Sequence, residues 1–370
     1  MKQAVLGIVL LLGMRLLAQN MMVASAGAET AAPTSTATGD NKLDAELAQQ
    51  VPQPQTKAAE TAKSEIKRPK SEGSMVGYVD DAIPATQLRL RFDAGFDDPF
   101  PDRAEFFYAK CGCYTHANGT SFFDPHAPGP GPGIATDLNF QQLYLFGEYA
   151  PVGRFSAFFE LPFRWIQPQT FFMPQALGTF GDHGGVSDVS LGLKFAVLDT
   201  ERSTVSLQLK SYLPSGDASQ GLGTGHSSIE PSLLLYHSLS PRWTLEGQVG
   251  GWVPINGSRG VPTLDSSSFA GSILIYGLGV STQVYHNSTL SLNPVVELFG
   301  WHLLGGFQTQ PGGVAAGIAA PQSGTNIVNV KFGLRTTIHD HNSIYVGYGH
   351  AVTDAAWYEN LLRVEYRYVF

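Results

Sequence analysis

Charged side chains recur in this sequence at a spacing of two. Arg89, Arg91 and Asp93 alternate with Leu88, Leu90 and Phe92, Glu160 and Arg164 alternate with Phe159, Leu161, Phe163 and Trp165, and Arg363, Glu365 and Arg367 alternate with Leu362, Val364, Tyr366 and Tyr368. Successive side chains on a strand point to opposite faces, so this spacing gathers carboxylates and cations on one face and apolar groups on the other. The same parity assigns Glu148, Lys194, Lys210, Glu230, Glu246, Glu297, Lys331 and Arg335 to the polar face. An arginine inside a strand needs water or a partner, so that face is expected to look into an aqueous interior. Such a mixed lining can pair its charges and narrow a lumen, or offer a polar path to a small solute. The plainer alternative is a static network that stabilises the wall.

Other residue groups suggest different chemistry, each with a plainer reading beside it. His226 and Ser228 are two apart, as a base and a nucleophile could be at a strand start. Nucleophilic catalysis also needs a group that orients the base, and none can be placed from the sequence. Cys111 and Cys113, with His116, are three candidate soft-metal ligands on a loop, short of a closed four-ligand site. Pairing the two cysteines directly, at i and i+2, requires strain. His339, Asp340 and His341 could chelate a metal but fall where a tight turn is expected, and polar residues are ordinary there. Gly223, Thr224 and Gly225 precede a strand rather than a helix and lack the phosphate-loop lysine. The reading is therefore of a protein without covalent chemistry, cofactor or metal.

The elements that must position these residues are strands. Twelve alternating segments are expected, at 86–96, 138–149, 155–166, 186–198, 204–213, 227–239, 242–253, 269–285, 288–303, 325–338, 344–352 and 359–370. About ten residues suits a tilted strand that crosses a bilayer. Long connectors (97–137, 167–185, 214–226, 254–268, 304–324) alternate with short ones near Pro151, Glu201, Pro241, Asn287 and Asp340. Transmembrane barrels have long outer loops and short periplasmic turns. The final strand ends on Tyr366, Tyr368 and Phe370 along one face, resembling the closing strand of a bacterial outer-membrane barrel and its assembly signal. Pro162, Pro231 and Pro294 lie inside strands, where each removes a ladder donor, and a bulge is expected at Pro294.

Composition agrees with an all-β transmembrane antiparallel up-and-down barrel. Charged residues are 15% of the chain, against roughly 25% in soluble proteins. No stretch after the N-terminus has the ~18 unbroken apolar residues of a spanning helix. The net charge of −8 offers no basic surface for nucleic acid. Residues 1–26 read as a secretory signal, with Lys2, an apolar run through Leu17 and the small residues Ala24, Ser25 and Ala26. Residues 27–85 read as a low-complexity periplasmic linker, too poor in large apolar groups to fold alone. Within it Leu43, Leu47 and Val51 share one face of a short helix candidate. Met75, Tyr78, Val79, Ala82 and Ile83 have helical spacing just before the first strand and read either as a plug helix entering the barrel from the periplasmic side or as a disordered leader with chance periodicity.

Several stretches resemble the outer-membrane barrel family of the MetA pathway of phenol degradation, which is similar to the barrel that exports functional-amyloid subunits. They are Gly185 to Lys194, Tyr212 to Gly216, Leu222 to Gly225 and the strand pair from Glu230 to Val253. The resemblance implies a barrel over residues 86–370 and passage of aromatic or other small hydrophobic compounds. The amyloid relative implies an N-terminal plug and a trimer-forming coiled coil, for which the Leu43 to Val51 face is too short.

Together these readings predict an outer-membrane channel or transporter whose partners are membrane lipid, the barrel-assembly machinery and a small solute. The alternatives are a closed structural envelope barrel, an export barrel for a secreted polypeptide and, more remotely, a surface phospholipase using His226 and Ser228.

Overall fold

The alternation of apolar and polar side chains is resolved by closing the strands into a barrel, which leaves no sheet edge unpaired. The structure, a computed structural model, describes residues 74–260, 267–311 and 318–370. The expected secretory signal, the linker as far as residue 73 and the Leu43, Leu47, Val51 face lie outside the described residues.

Twelve strands make the wall: β1 (Gln87–Asp98), β2 (Ile134–Val152), β3 (Phe155–Phe172), β4 (Val189–Asp199), β5 (Ser203–Leu213), β6 (Ser227–Ser238), β7 (Trp243–Ile255), β8 (Ile273–Thr282), β9 (Leu290–Leu303), β10 (Asn326–Ile338), β11 (Asn342–Ala351) and β12 (Asn360–Val369). Each pairs antiparallel with its neighbours in sequence. The seam is closed by β12 against β1, in a register running from Gln87↔Val369 to Phe96↔Asn360. Outward-facing Phe159, Leu193, Leu207, Leu278, Val296, Phe332 and Leu362 are exposed. Such an apolar band around a closed barrel is what a bilayer solvates, and it makes the chain an integral outer-membrane protein. Among the described residues no helix is long and apolar enough to cross a membrane.

The in-strand prolines sit where one of their two ladders is interrupted. The bulge expected at Pro294 lies on the facing strand instead. Between the pairs Ser281↔Val295 and Tyr285↔Leu292, three residues (Thr282, Gln283, Val284) oppose Asn293 and Pro294. On its other side Pro294 keeps an unbroken register with Leu334. Pro231 pairs with Leu209, while its ladder to β7 pauses between Ile229↔Val253 and Ser232↔Gly250. Pro162 marks the point where β3 leaves β4, their pairing ending at Glu160↔Ser190. Above it β3 pairs with the short strand His183–Val186, and the Pro162 carbonyl accepts the Ser187 N–H at 2.9 Å. The strand expected at 186–198 therefore begins at Val189.

One end of the barrel carries the short turns. At the last of these, His339 and Asp340 both adopt positive φ, 50° and 58°. Successive left-handed residues form the turn that suits a tight hairpin, and His341 binds the Val369 carbonyl through Nδ1 at 3.0 Å rather than joining a chelate. At the other end residues 99–133 fold across the mouth as a cap. The cap bonds to four of the loops around it: Ala109 N–H to the Gly223 carbonyl, Lys110 Nζ to the carbonyls of Arg259 and Gly260, and Arg103 to Gln308 Oε1 and the Ala356 carbonyl.

Candidate functional site

The charged residues that the sequence assigns to the lumen are mostly buried, and many of them are in ion pairs. Of the residues assigned to the lumen, Asp93, Glu148, Arg164, Lys194, Glu230, Glu246, Glu297, Lys331, Arg335, Arg363, Glu365 and Arg367 are buried. Arg89, Arg91, Glu160 and Lys210 are half-buried. Arg363 grips Asp93 with two bonds of 2.7 Å across the seam, Arg335 pairs with Glu365 at 3.0 Å, Lys194 with Glu148 at 3.0 Å and Arg91 with Glu160 at 3.4 Å. Arg89 lies 3.9 Å from Glu365, and its guanidinium stacks over Phe146.

Through this interior runs the segment from Ser74 to Ile83, held by its main chain. Glu297 accepts the N–H groups of Gly77, Tyr78 and Val79 at 3.1, 2.9 and 3.0 Å, and Glu246 accepts that of Met75 at 2.8 Å. Arg335 donates to the carbonyls of Met75 and Val76, Arg363 to that of Gly77, and Arg367 to that of Ser74. Asp80 takes Gln208 at 2.7 Å and Lys210 at 3.3 Å. The plug helix expected from Met75, Tyr78, Val79 and Ile83 does not form; the segment is a series of bends. Its amides find wall carboxylates in place of i−4 carbonyls, so satisfying the backbone does not require a helix. The apolar side chains fit notches left by glycines: a Cβ on Gly279 would collide with Val76, and one on Gly277 would crowd Val79.

Between this segment and the cap lies a cavity of about 270 Å³ in which charges and rings are interspersed. Glu160, Arg164, Lys210 and Glu230 line it from β3 to β6 and Arg91, Asp93 and Arg363 from the seam strands, while Phe299, Trp301, Trp357 and Tyr358 group along another part of the wall. Lys331 sits among the rings, 3.6 Å from the Tyr78 centroid and 5.0 Å from that of Phe299, and bonds the Tyr358 hydroxyl at 3.2 Å. The cap supplies the roof, with Phe106 stacked on Trp357 at 4.3 Å and Phe107 beneath the Arg164 guanidinium at 4.1 Å.

His226 and Ser228 stand under the cap and do not bond to each other. His226 Nδ1 faces Glu105 Oε2 and the Thr224 carbonyl, each at 3.1 Å. Its Nε2 and the Ser228 hydroxyl are buried without a hydrogen-bond partner among the described residues. Glu105, the carboxylate beside His226, could not be placed from the sequence because it lies more than a hundred residues away in a loop. Cys111 and Cys113 are joined to each other as a disulfide at the start of the turn Gly112–His116, which Cys111 caps. His116 bonds Thr115 Oγ1 at 2.8 Å, and no cluster of metal-ligating side chains occurs among the described residues. Asp102 pins the cap by accepting Thr309 and Cys111 N–H groups at 3.0 and 3.1 Å. Burial raises its carboxyl above the usual range, against the pull of those bonds. Burial likewise lowers the Lys110 ammonium, which Asp124 supports at 2.9 Å.

Residues 134–360, more than half of the chain, match the model of the family described as "Putative MetA-pathway of phenol degradation". The chain belongs to this family. The matched stretch of this MetA-pathway member runs from the start of β2 to the start of β12, and so leaves outside it β1 and the plug segment. Among solved structures it is similar to the COG4313 outer membrane channel from Pseudomonas putida F1, with 15% identity and a TM-score of 0.47 over 80% of this chain and 97% of that one. The NanC porin is similar at 9% identity and 0.41 over 76% and 98%. The β domain of the Bordetella autotransporter BrkA is similar at 15% identity and 0.42 over 77% and 100%. No curated protein sequence matches the chain.

Proposed function

We propose that the barrel is an outer-membrane channel for small amphipathic solutes, closed at rest by the Ser74 to Ile83 segment. The observation that carries this reading is the cavity between cap and plug, which sets a cluster of rings (Phe299, Trp301, Trp357, Tyr358) beside charged groups that include Glu160, Arg164, Lys210 and Glu230. A planar apolar body would lie on the rings while a hydroxyl or carboxylate turned to the charged groups, in the manner of sites that combine apolar lining with a few placed polar groups. The family description, which names phenol degradation, agrees with a cargo of that shape. The plug closes the path beneath the cavity with Tyr78 and Asp80, both of which line it. Liposome swelling and bilayer conductance, for the full chain and for a chain lacking residues 75–83, test channel and plug together. The deletion is expected to raise permeation severalfold, and a chain that never conducts in either form overturns the proposal.

A second reading, a structural barrel sealed by its own charges, is favoured by the density of buried pairs around Glu148, Asp93 and Glu365. It predicts sealed bilayers even after the deletion.

A further inference from the structure

Glu297 on β9 and Lys331 on β10 are directly opposed in register, and both are buried. Facing residues on antiparallel strands hold their Cβ atoms about 5 Å apart, and opposite charges placed there pair readily. These two do not. Glu297 spends its oxygens on three plug amides and the Tyr345 hydroxyl, the last at 3.1 Å. Lys331 faces the ring of the plug's own Tyr78. Each has a plug partner in place of the other. A related arrangement recurs on β5 and β6, where Lys210 and Glu230 are register partners. Lys210 is 3.3 Å from Asp80 of the plug and 4.0 Å from Glu230.

We propose that Glu297 and Lys331 are a two-position gating pair, held apart while the plug is seated and joined when it leaves. The inference rests on the channel reading above. Withdrawal of the plug strips Glu297 of three N–H donors, and a buried carboxylate left without them is costly. The same withdrawal takes the Tyr78 ring from Lys331. Rotation of the two side chains then makes the ion pair, with no movement of the wall. The open state is stabilised by a contact the closed state forbids, which lets a tightly held plug be released.

The signature is that neutralising the two members shifts gating in opposite directions, whereas a static pair would respond alike to either change. Glu297→Gln weakens the grip on the plug and is expected to raise the open fraction of single channels about tenfold. Lys331→Met costs the closed state one cation–ring contact with Tyr78 but costs the open state the only new partner of a buried carboxylate, so on balance it is expected to lower the open fraction, by up to about the same factor. Lys331→Arg restores pairing and should return the open fraction toward the parent value. In a Glu297→Gln background, Lys331→Met should lose most of its effect. If Lys331→Met fails to give the folded, heat-modifiable band on gels, Lys331→Gln serves in its place. Single-channel recording of the full chain decides the matter. Shifts of the same sign, or no effect of losing Lys331 while the chain lacking residues 75–83 conducts, overturn the gating pair and leave the channel standing. A deletion variant that is silent overturns both.

Discussion

The seam between β1 and β12 and the strand pair β9–β10 use the same device to different ends. At the seam, the register partners Asp93 and Arg363 are joined by two bonds of 2.7 Å. On β9–β10, the register partners Glu297 and Lys331 are turned away from each other toward the plug. Both pairs are inward, buried and oppositely charged, so neither burial nor spacing separates them. What differs is the company on the inner side. Arg363 keeps Asp93 and reaches the plug with a further N–H, to the Gly77 carbonyl, and with its guanidinium over the Tyr78 ring. Glu297 commits its carboxylate to main-chain amides and gives up its neighbour. A charged pair in a barrel wall can thus close the sheet or hold a movable segment, and the plug main chain decides which.

The largest effect should come from breaking the seam. Arg363→Met leaves Asp93 buried with Arg91, 3.6 Å away, as its remaining cation, so the loss should approach but not exceed the about 3–5 kcal/mol of a buried pair deprived of one partner. The midpoint of heat or urea unfolding, followed by gel mobility, should fall clearly. Pairing Arg363→Met with Asp93→Leu should recover much of it, because the desolvated charge is then gone too. A single variant with an unchanged midpoint would mean that the seam ions are idle. A smaller loss is expected at Glu246, which holds the plug through one amide and leaves its second oxygen without a hydrogen-bond partner. Glu246→Gln should cost about 1 kcal/mol of plug docking, read as faster proteolysis near Met75 with the barrel intact. If cleavage there is no faster, Glu246 does not hold the plug.

The contrast between wall and plug also marks what could be read from the sequence. Period-two alternation is a local property, so the strands themselves, with an outward apolar row such as Phe155 to Trp165, were legible residue by residue. The plug's apolar residues were legible as a group, but their shape was not. Their spacing suggested a helix, while the deciding partners, Glu246 and Glu297, lie 171 and about 220 residues downstream. The cap was less legible still. Residues 99–133 have no period, and the roles of Asp102 and Glu105 depend on loops that meet only when the barrel closes. Aromatic residues on the inward parity, such as Tyr345 and Trp301, were overlooked because an inward face was expected to be polar. Tyr345 fits inward because Gly333 and Gly347 leave space that any Cβ would fill.

The smallest effect concerns the cap, which offers a third use of buried charge, pinning a loop outside the membrane. Asp102 is surrounded by N–H and O–H donors from Thr309 and Cys111, with no cation in contact among the described residues. Its burial raises the carboxyl above the ordinary value of 3.8. A raised folded-state value means that, between 3.8 and that value, the folded cap holds a proton the unfolded loop would release. Stability therefore rises as pH falls through this window and declines as pH climbs out of it. Amide hydrogen exchange across residues 99–133, corrected for its intrinsic pH dependence, should show more protection near pH 4 than near pH 7. Asp102→Asn should flatten that difference, since the amide keeps an acceptor oxygen and cannot titrate. The plug amides bound to Glu297 answer to a different set of partners and should not follow the cap's response to Asp102→Asn. If they did, cap and plug would be one cooperative unit, and the separate uses of buried charge drawn here would merge into one.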